Sequence, residues 1–201
     1  MDSLPRNAAN HVPLSPVSFL KRAAHVWGGR VAVIHGARRI TYAQMLERSR
    51  RLASAIRRAG VAPGETVAVL LPNIPEMLEA HYGIPMAHAV LCPINTRLDA
   101  ATIGFILRHS EAKILIVDRE FAGVAGVALA QSGTAPRIVT VDDPLGPPGA
   151  ALDGTDYEAF IASGDPDYPV APPSDEWAAI SLSYTSGTTG DPKGVVVHHR
   201  G

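Results

Sequence analysis

The chain has 201 residues, of which 46% are hydrophobic and 18% charged, the balance of a globular protein and not of a disordered one. A formal net charge of −1 leaves no electrostatic case for nucleic acid as a partner. No apolar run approaches the roughly 20 residues of a membrane span, and Met1-Asp2-Ser3-Leu4-Pro5 lacks the basic-then-apolar plan of a secretory leader. The single cysteine, Cys92, excludes an internal disulfide; within Val90-Leu91-Cys92-Pro93 it reads as a small buried side chain in a reducing, cytoplasmic setting.

Taken in chain order, residues 1–14 carry Pro5 and Pro13 and little periodicity, and read as loose. Ser15-Pro16 starts a helix running to about Trp27, with Phe19, Leu20, Ala23 and Trp27 on its inner face and Gly28-Gly29 at its end. Two strands follow, at 31–34 and 39–42, joined by a turn at Gly36. Thr41-x-x-Gln44 fits a capping box for the next helix. Met45, Leu46, Leu52, Ala53 and Ile56 point inward there, while Glu47, Arg48, Arg50, Arg51, Arg57 and Arg58 face out. The arginines read as a solvated face and not as an anion site, because Glu47 lies among them and no aromatics interleave.

Residues 66–71 form a nearly continuous apolar run, the mark of a strand buried on both faces. A helix over 75–86 follows, with Pro75 in its first turn and Pro85 breaking or kinking its end. His81 and His88 lie in this region without a second ligand at metal spacing, so both read as packing or surface residues. A strand at 90–92, a helix at 99–109 carrying Ile103, Ile106 and Leu107, a strand at 113–118, an alanine-rich helix at 119–131 and a strand at 137–142 complete the alternation. The fold class is therefore α/β: a layered arrangement with a largely parallel sheet and helices on both faces. Residues 143–174 contain 11 glycines and prolines and read as a surface connection with one short helix at 157–161. The layout expected is a loose 1–14, an α/β subdomain over 15–142, a connection over 143–174, and a strand-loop-strand unit over 175–201. Asp175-Glu176, at the entry to that unit, reads as a solvated pair and not as an acid–base couple.

The last unit is the most informative. Ile180, Leu182 and Tyr184 alternate with Ser181 and Ser183, a strand pattern, and Val195-Val196-Val197 reads as a second strand. Between them run Thr185, Ser186, Gly187, Thr188, Thr189, Gly190, Asp191, Pro192, Lys193 and Gly194. Gly187 and Gly190 let the backbone turn and bring its N–H groups close to an anion. The four hydroxyls can donate to phosphate oxygens, Lys193 supplies a mobile positive charge, and Pro192 stiffens the approach to it. The composition suits a polyphosphate. The general P-loop pattern G-x-x-x-x-G-K-[ST] is missed twice, by Pro192 in place of its second glycine and by Gly194 in place of its Ser/Thr. The competing reading is a plain Ser/Thr/Gly hairpin loop.

Thr185-Ser186-Gly187-Thr188-Thr189-Gly190-Asp191-Pro192-Lys193-Gly194-Val195 resembles, without a break, the AMP-binding signature of the adenylate-forming (acyl-activating) enzymes. Upstream, Pro72-Asn73-Ile74-Pro75-Glu76, Gly83-Ile84-Pro85-Met86-Ala87, Pro93-Ile94-Asn95-Thr96-Arg97-Leu98 and Ile114-Leu115-Ile116-Val117-Asp118 are also similar to that family's N-terminal part. The resemblance covers most of 15–201. It is nearest to short- and medium-chain acyl-CoA ligases, plant acyl-activating enzymes and bacterial methylthiopropionate ligases.

The resemblance implies the N-terminal portion of the family's large domain, with ATP, Mg²⁺ and coenzyme A as cofactors and co-substrates and a small carboxylic acid as substrate. It implies that residues 185–190 wrap the β- and γ-phosphates, with Lys193 on the γ-phosphate and the Thr185 hydroxyl on Mg²⁺. Family members are longer. Their adenine, acyl and coenzyme A sites and their catalytic lysine are expected beyond Gly201, so no catalytic residue is assigned here and the segment alone is expected to be inactive. It is expected to be an N-terminal fragment, an engineered truncation or a shortened gene product. Three readings stay open: an acid–thiol ligase, a simple ATP-binding or ATP-hydrolysing module, and a non-catalytic fragment. Oligomeric state stays open too, a homodimer among the alternatives.

Overall fold

A strand that is apolar at every position needs cover on both faces, and two such strands set the architecture. The computed structural model describes residues 5–7, 9–150, 152–185 and 191–201. In it, β3 (Thr66–Leu70) and β5 (Ile114–Asp118) are buried at every position and lie side by side in parallel. β4 (Val90–Pro93) flanks β3 on one side, while β6 (Arg137–Val141) and the two-residue β7 (Thr155–Asp156) extend the sheet beyond β5. β8 (Ala179–Thr185) adds in parallel to β4, and β9 (Lys193–His198) closes the edge antiparallel to β8. The seven-stranded order is β7-β6-β5-β3-β4-β8-β9. The expected largely parallel sheet is what the chain forms.

Strand alternation divides the core in two. Val67, Val69, Ile114 and Ile116 join α1 (Val17–Trp27), α2 (Tyr42–Arg58), α3 (Pro75–Met86) and α6 (Tyr157–Ala162) on one face. Ala68, Leu70, Leu115 and Val117 face α4 (Ala100–His109) and α5 (Ala122–Ser132) on the other. β1 (Val31–His35) and β2 (Arg38–Thr41) form a separate antiparallel pair turning at Gly36, whose φ of +54° favours glycine.

The local signals read correctly at several points. The capping box exists: the Thr41 hydroxyl accepts the Gln44 N–H and the Gln44 side chain accepts the Thr41 N–H. α4 begins at an Asp99 cap, and Pro85 lies in the last turn of α3, which stops at Met86. His81 shares a hydrogen bond with the Met77 carbonyl one turn back, as a surface residue does.

Three expectations need correcting. On α1, Phe19 is 69% exposed and Trp27 47%, while Val17 and Leu20 are buried; packing against α2 and α3 rotates the helix from the inward face expected. On α2, Arg48 does not face solvent. Its guanidinium donates twice to Glu79, which is fully buried, at 2.6 and 3.2 Å, and twice more to Glu158 at 2.6 and 2.9 Å. Tyr157 donates its hydroxyl to the same Glu79 at 2.8 Å, so the network ties α2, α3 and α6 together. Burial raises the Glu79 carboxyl, opposed by Arg48 and Tyr157. Finally, Glu176 is not solvated: it is buried, accepting the Leu14 N–H at 2.8 Å and an Arg200 N–H at 2.7 Å.

Candidate functional site

Six parallel strands give this sheet a defined carboxyl edge, and ligands in open α/β sheets bind outside that edge. The Thr/Ser/Gly segment leaves the sheet there, at the carboxyl end of β8. β8 and β9 pair with Tyr184 opposite Gly194 and Thr185 opposite Lys193, so the register brings the first hydroxyl and the lysine of the motif together at the mouth of the hairpin. Directly paired residues share a face, which places Thr185 and Lys193 together on the face opposite Tyr184. Thr185, Asp191 and Lys193 are exposed and Pro192 is half-buried. Ser186, Gly187, Thr188, Thr189 and Gly190 lie outside the described residues.

The root of the hairpin is built from residues that the motif does not contain. The Tyr184 hydroxyl and His109 Nδ1 share a 2.7 Å hydrogen bond, and the two rings meet edge-on. Phe105, one turn earlier on α4, stacks on His109 with centroids 5.4 Å apart. Burial pushes the Tyr184 phenol up to about 12, so it keeps its proton at neutral pH. Phe105 and His109 stand at helical spacing, but nothing in the sequence ties them to a tyrosine 75 residues later, and neither was singled out from the sequence. Cys92 lies in the same core layer, fully buried and pushed up to about 12 by burial, which suits packing and not nucleophilic chemistry.

Beyond β9 the chain is clasped to the segment before α1. His199, buried, shares a 2.9 Å hydrogen bond with the Ser15 hydroxyl. Desolvation, with His88 adding to it, lowers the His199 pKa, so the ring is neutral at neutral pH. The Leu14 N–H first, and Arg200 second, hold the Glu176 carboxyl below the usual carboxylate range. His199 is thus a packed residue.

Two grooves flank α2, of about 660 and 670 Å³, and neither is lined by the hairpin. Three of the five arginines that line them are ion-paired, Arg38 with Glu76, Arg48 with Glu79 and Glu158, Arg51 with Glu47, and Arg39 donates to the Gly36 and Arg38 carbonyls. Charges neutralised in this way serve the fold, so the larger hollows are weaker candidates than the hairpin.

Among the described residues no three His, Cys, Asp or Glu side chains gather to hold a metal. Among the described residues of the motif, Thr185 supplies the one hydroxyl, and it is exposed. Mg²⁺ keeps most of its ligands from water and phosphate oxygens, so a single hydroxyl fits a cation that arrives with a polyphosphate.

Comparison with known proteins supplies the family and matches the fold. Residues 20–201 match the family described as AMP-binding enzyme. An acetate/butyrate–CoA ligase of Arabidopsis thaliana, named as peroxisomal, is 46% identical over all of this chain and 37% of its own length. An acetate–CoA ligase of Humulus lupulus is 45% identical over all of this chain and 38% of its own. The crystal structure of an anthranilate CoA ligase in complex with anthranoyl-AMP superimposes on 97% of this chain and 37% of its own, with a TM-score of 0.85 and 26% identity. The chain thus spans little more than a third of the length of these relatives. On the family match, the fold and the register of its signature, the chain belongs to the AMP-binding enzymes.

Proposed function

We propose that this chain supplies the nucleotide-phosphate grip of an ATP-dependent acid–thiol ligase. In the first step a carboxylate oxygen attacks the α-phosphorus of ATP; an acyl-adenylate forms and the bond to the pyrophosphate leaving group breaks. In the second, the thiol of coenzyme A attacks the acyl carbon, AMP leaves, and the thiol proton passes to solvent. Negative charge accumulates on the departing pyrophosphate, so the protein must present cations and hydrogen-bond donors there in advance. Lys193 and the hydroxyl and backbone donors of 185–190 are suited to that. Thr185 is the residue that would hold Mg²⁺, which when bound supplies charge neutralisation on the phosphates. Relatives named for acetate and butyrate make a short-chain acid the first substrate to try. A reducing compartment fits the lone buried Cys92. Cytoplasm is our placement, and the peroxisome is the alternative raised by the relatives' names.

The observation that carries this reading is the pairing of Thr185 with Lys193 across a Ser/Thr/Gly segment at the carboxyl edge of a parallel sheet. Lys193→Ala removes a charge-assisted contact and should weaken Mg-ATP binding by about 10- to 100-fold. Calorimetric titration of the 201-residue chain checks this, and an unchanged affinity would sink the reading. The same chain, given ATP, Mg²⁺ and a panel of acids, should release no acid-dependent pyrophosphate; release would show that the segment suffices for the first step. Hydrolysis of ATP without any acid would favour a simple nucleotide-hydrolysing module.

A further inference from the structure

Tyr184 stands one residue before Thr185, and Gly194 one residue after Lys193. The two face each other across the β8–β9 ladder, and the Tyr184 ring lies over Gly194: a Cβ added there would sit 3.6 Å from two ring carbons and 2.9 Å from Leu182 Cδ1. A side chain at 194 would press Leu182 and crowd the ring. On its other side the ring is tied to α4, through the 2.7 Å hydrogen bond to His109 and the stack of His109 on Phe105. Gly194 across the ladder and His109 from α4, itself backed by Phe105, therefore converge on one aromatic ring at the root of the motif. The rest of β8 and β9 is at best partly buried, so cover on the strands contributes little to holding that root in place.

We infer that Tyr184 is a positioning residue, held by His109 and seated on Gly194, which fixes both strand ends of the hairpin so that Thr185 and Lys193 stand at a set separation before the nucleotide arrives. This rests on the nucleotide reading above and adds to it the device that pre-organises the grip. Ordering a binding segment in advance reduces the entropy lost on binding. Removing the hydroxyl alone should therefore lower affinity with no loss of any contact to the ligand.

The test uses the 201-residue chain and Mg-ATP. Tyr184→Phe and His109→Ala should each weaken binding by about 2- to 10-fold, the worth of one hydrogen bond. Because both remove the same bond, the double variant should bind about as well as either single one. His109→Asn, which puts a polar atom near the position of Nδ1, should recover most of the loss. Amide hydrogen exchange supplies a readout that needs no nucleotide: exchange at 183–185 and 193–195 should quicken several-fold in Tyr184→Phe, with β3 and β5 unchanged. Wild-type affinity together with wild-type exchange in Tyr184→Phe would overturn the proposal, and so would losses that multiply in the double variant. The Lys193→Ala titration separates the two ideas. If it has no effect, the nucleotide reading falls, and the clamp is then upheld by quickened exchange or lost with unaltered exchange.

Discussion

β3 and β5 are buried at all five of their positions, whereas every residue of β8 is half-buried or exposed and Lys193 to Val196 of β9 are exposed. One sheet thus contains a region that is all core and a region that is nearly all surface. The first is held by apolar packing on two faces and by the Arg48–Glu79–Tyr157 network behind it. The second depends on its ladder, one tyrosine and one clasp to the segment before α1. The family's signature sits on the second. Backbone N–H groups and hydroxyls that must reach a ligand cannot be spent inside a core, so a hairpin with the proposed role belongs where the fold contributes least.

Breaking the buried side should have the largest effect on stability. Arg48→Met leaves the buried Glu79 with the Tyr157 hydroxyl in place of its guanidinium, and should cost about 3–5 kcal/mol in urea unfolding. Mg-ATP affinity of the folded variant should hold. If it collapses while the fold persists, the two regions are not separable as drawn. Gly83→Ala comes next. A Cβ there would lie 2.7 Å from Leu52 Cδ2, where α3 meets α2, and overpacking of this kind costs about 1–3 kcal/mol.

His199 gives a smaller effect that depends on pH. Its folded pKa lies below the unfolded value of about 6.5, so the unfolded chain takes up the proton first as pH falls. The stability it contributes is complete above about pH 6.5 and drains as pH drops from there toward the folded value. His199→Asn should flatten urea midpoints across that window, and an unaltered slope would mean that the Ser15 clasp does not sense pH. Val196→Thr, on the exposed strand, should shift stability by no more than about 0.5 kcal/mol.

Legibility in the sequence followed the same division. β3 and β5 announced themselves because a strand covered on both faces has to be apolar throughout, and α2 because Thr41 and Gln44 cap it locally. The run 185–195 pointed to the family because its hydroxyls, glycines and lysine stand together in one short, unbroken motif. What could not be read was any feature decided by a distant partner. Arg48 looked like one more surface arginine until Glu79 and Glu158 came beside it, 31 and 110 residues away. Glu176 looked solvated because Leu14 and Arg200 are remote in the chain. β7 is two residues long inside a Gly/Pro-rich stretch, and exists only because β6 lies next to it. The Tyr184 anchor was hidden for the same reason: its half on α4 lies 75 residues upstream.

The bond between Ser15 and His199 spans 184 residues, and Leu14 meets Glu176 across 162. During synthesis these two clasps therefore cannot form until nearly all of this stretch has left the ribosome. Closure over so long a span waits on the rest of the sheet, because the entropy of joining distant points must be met by structure already formed. The segment at Leu14 and Ser15 is thus among the last to settle, and a nascent chain halted short of residue 199 would leave it open to proteases.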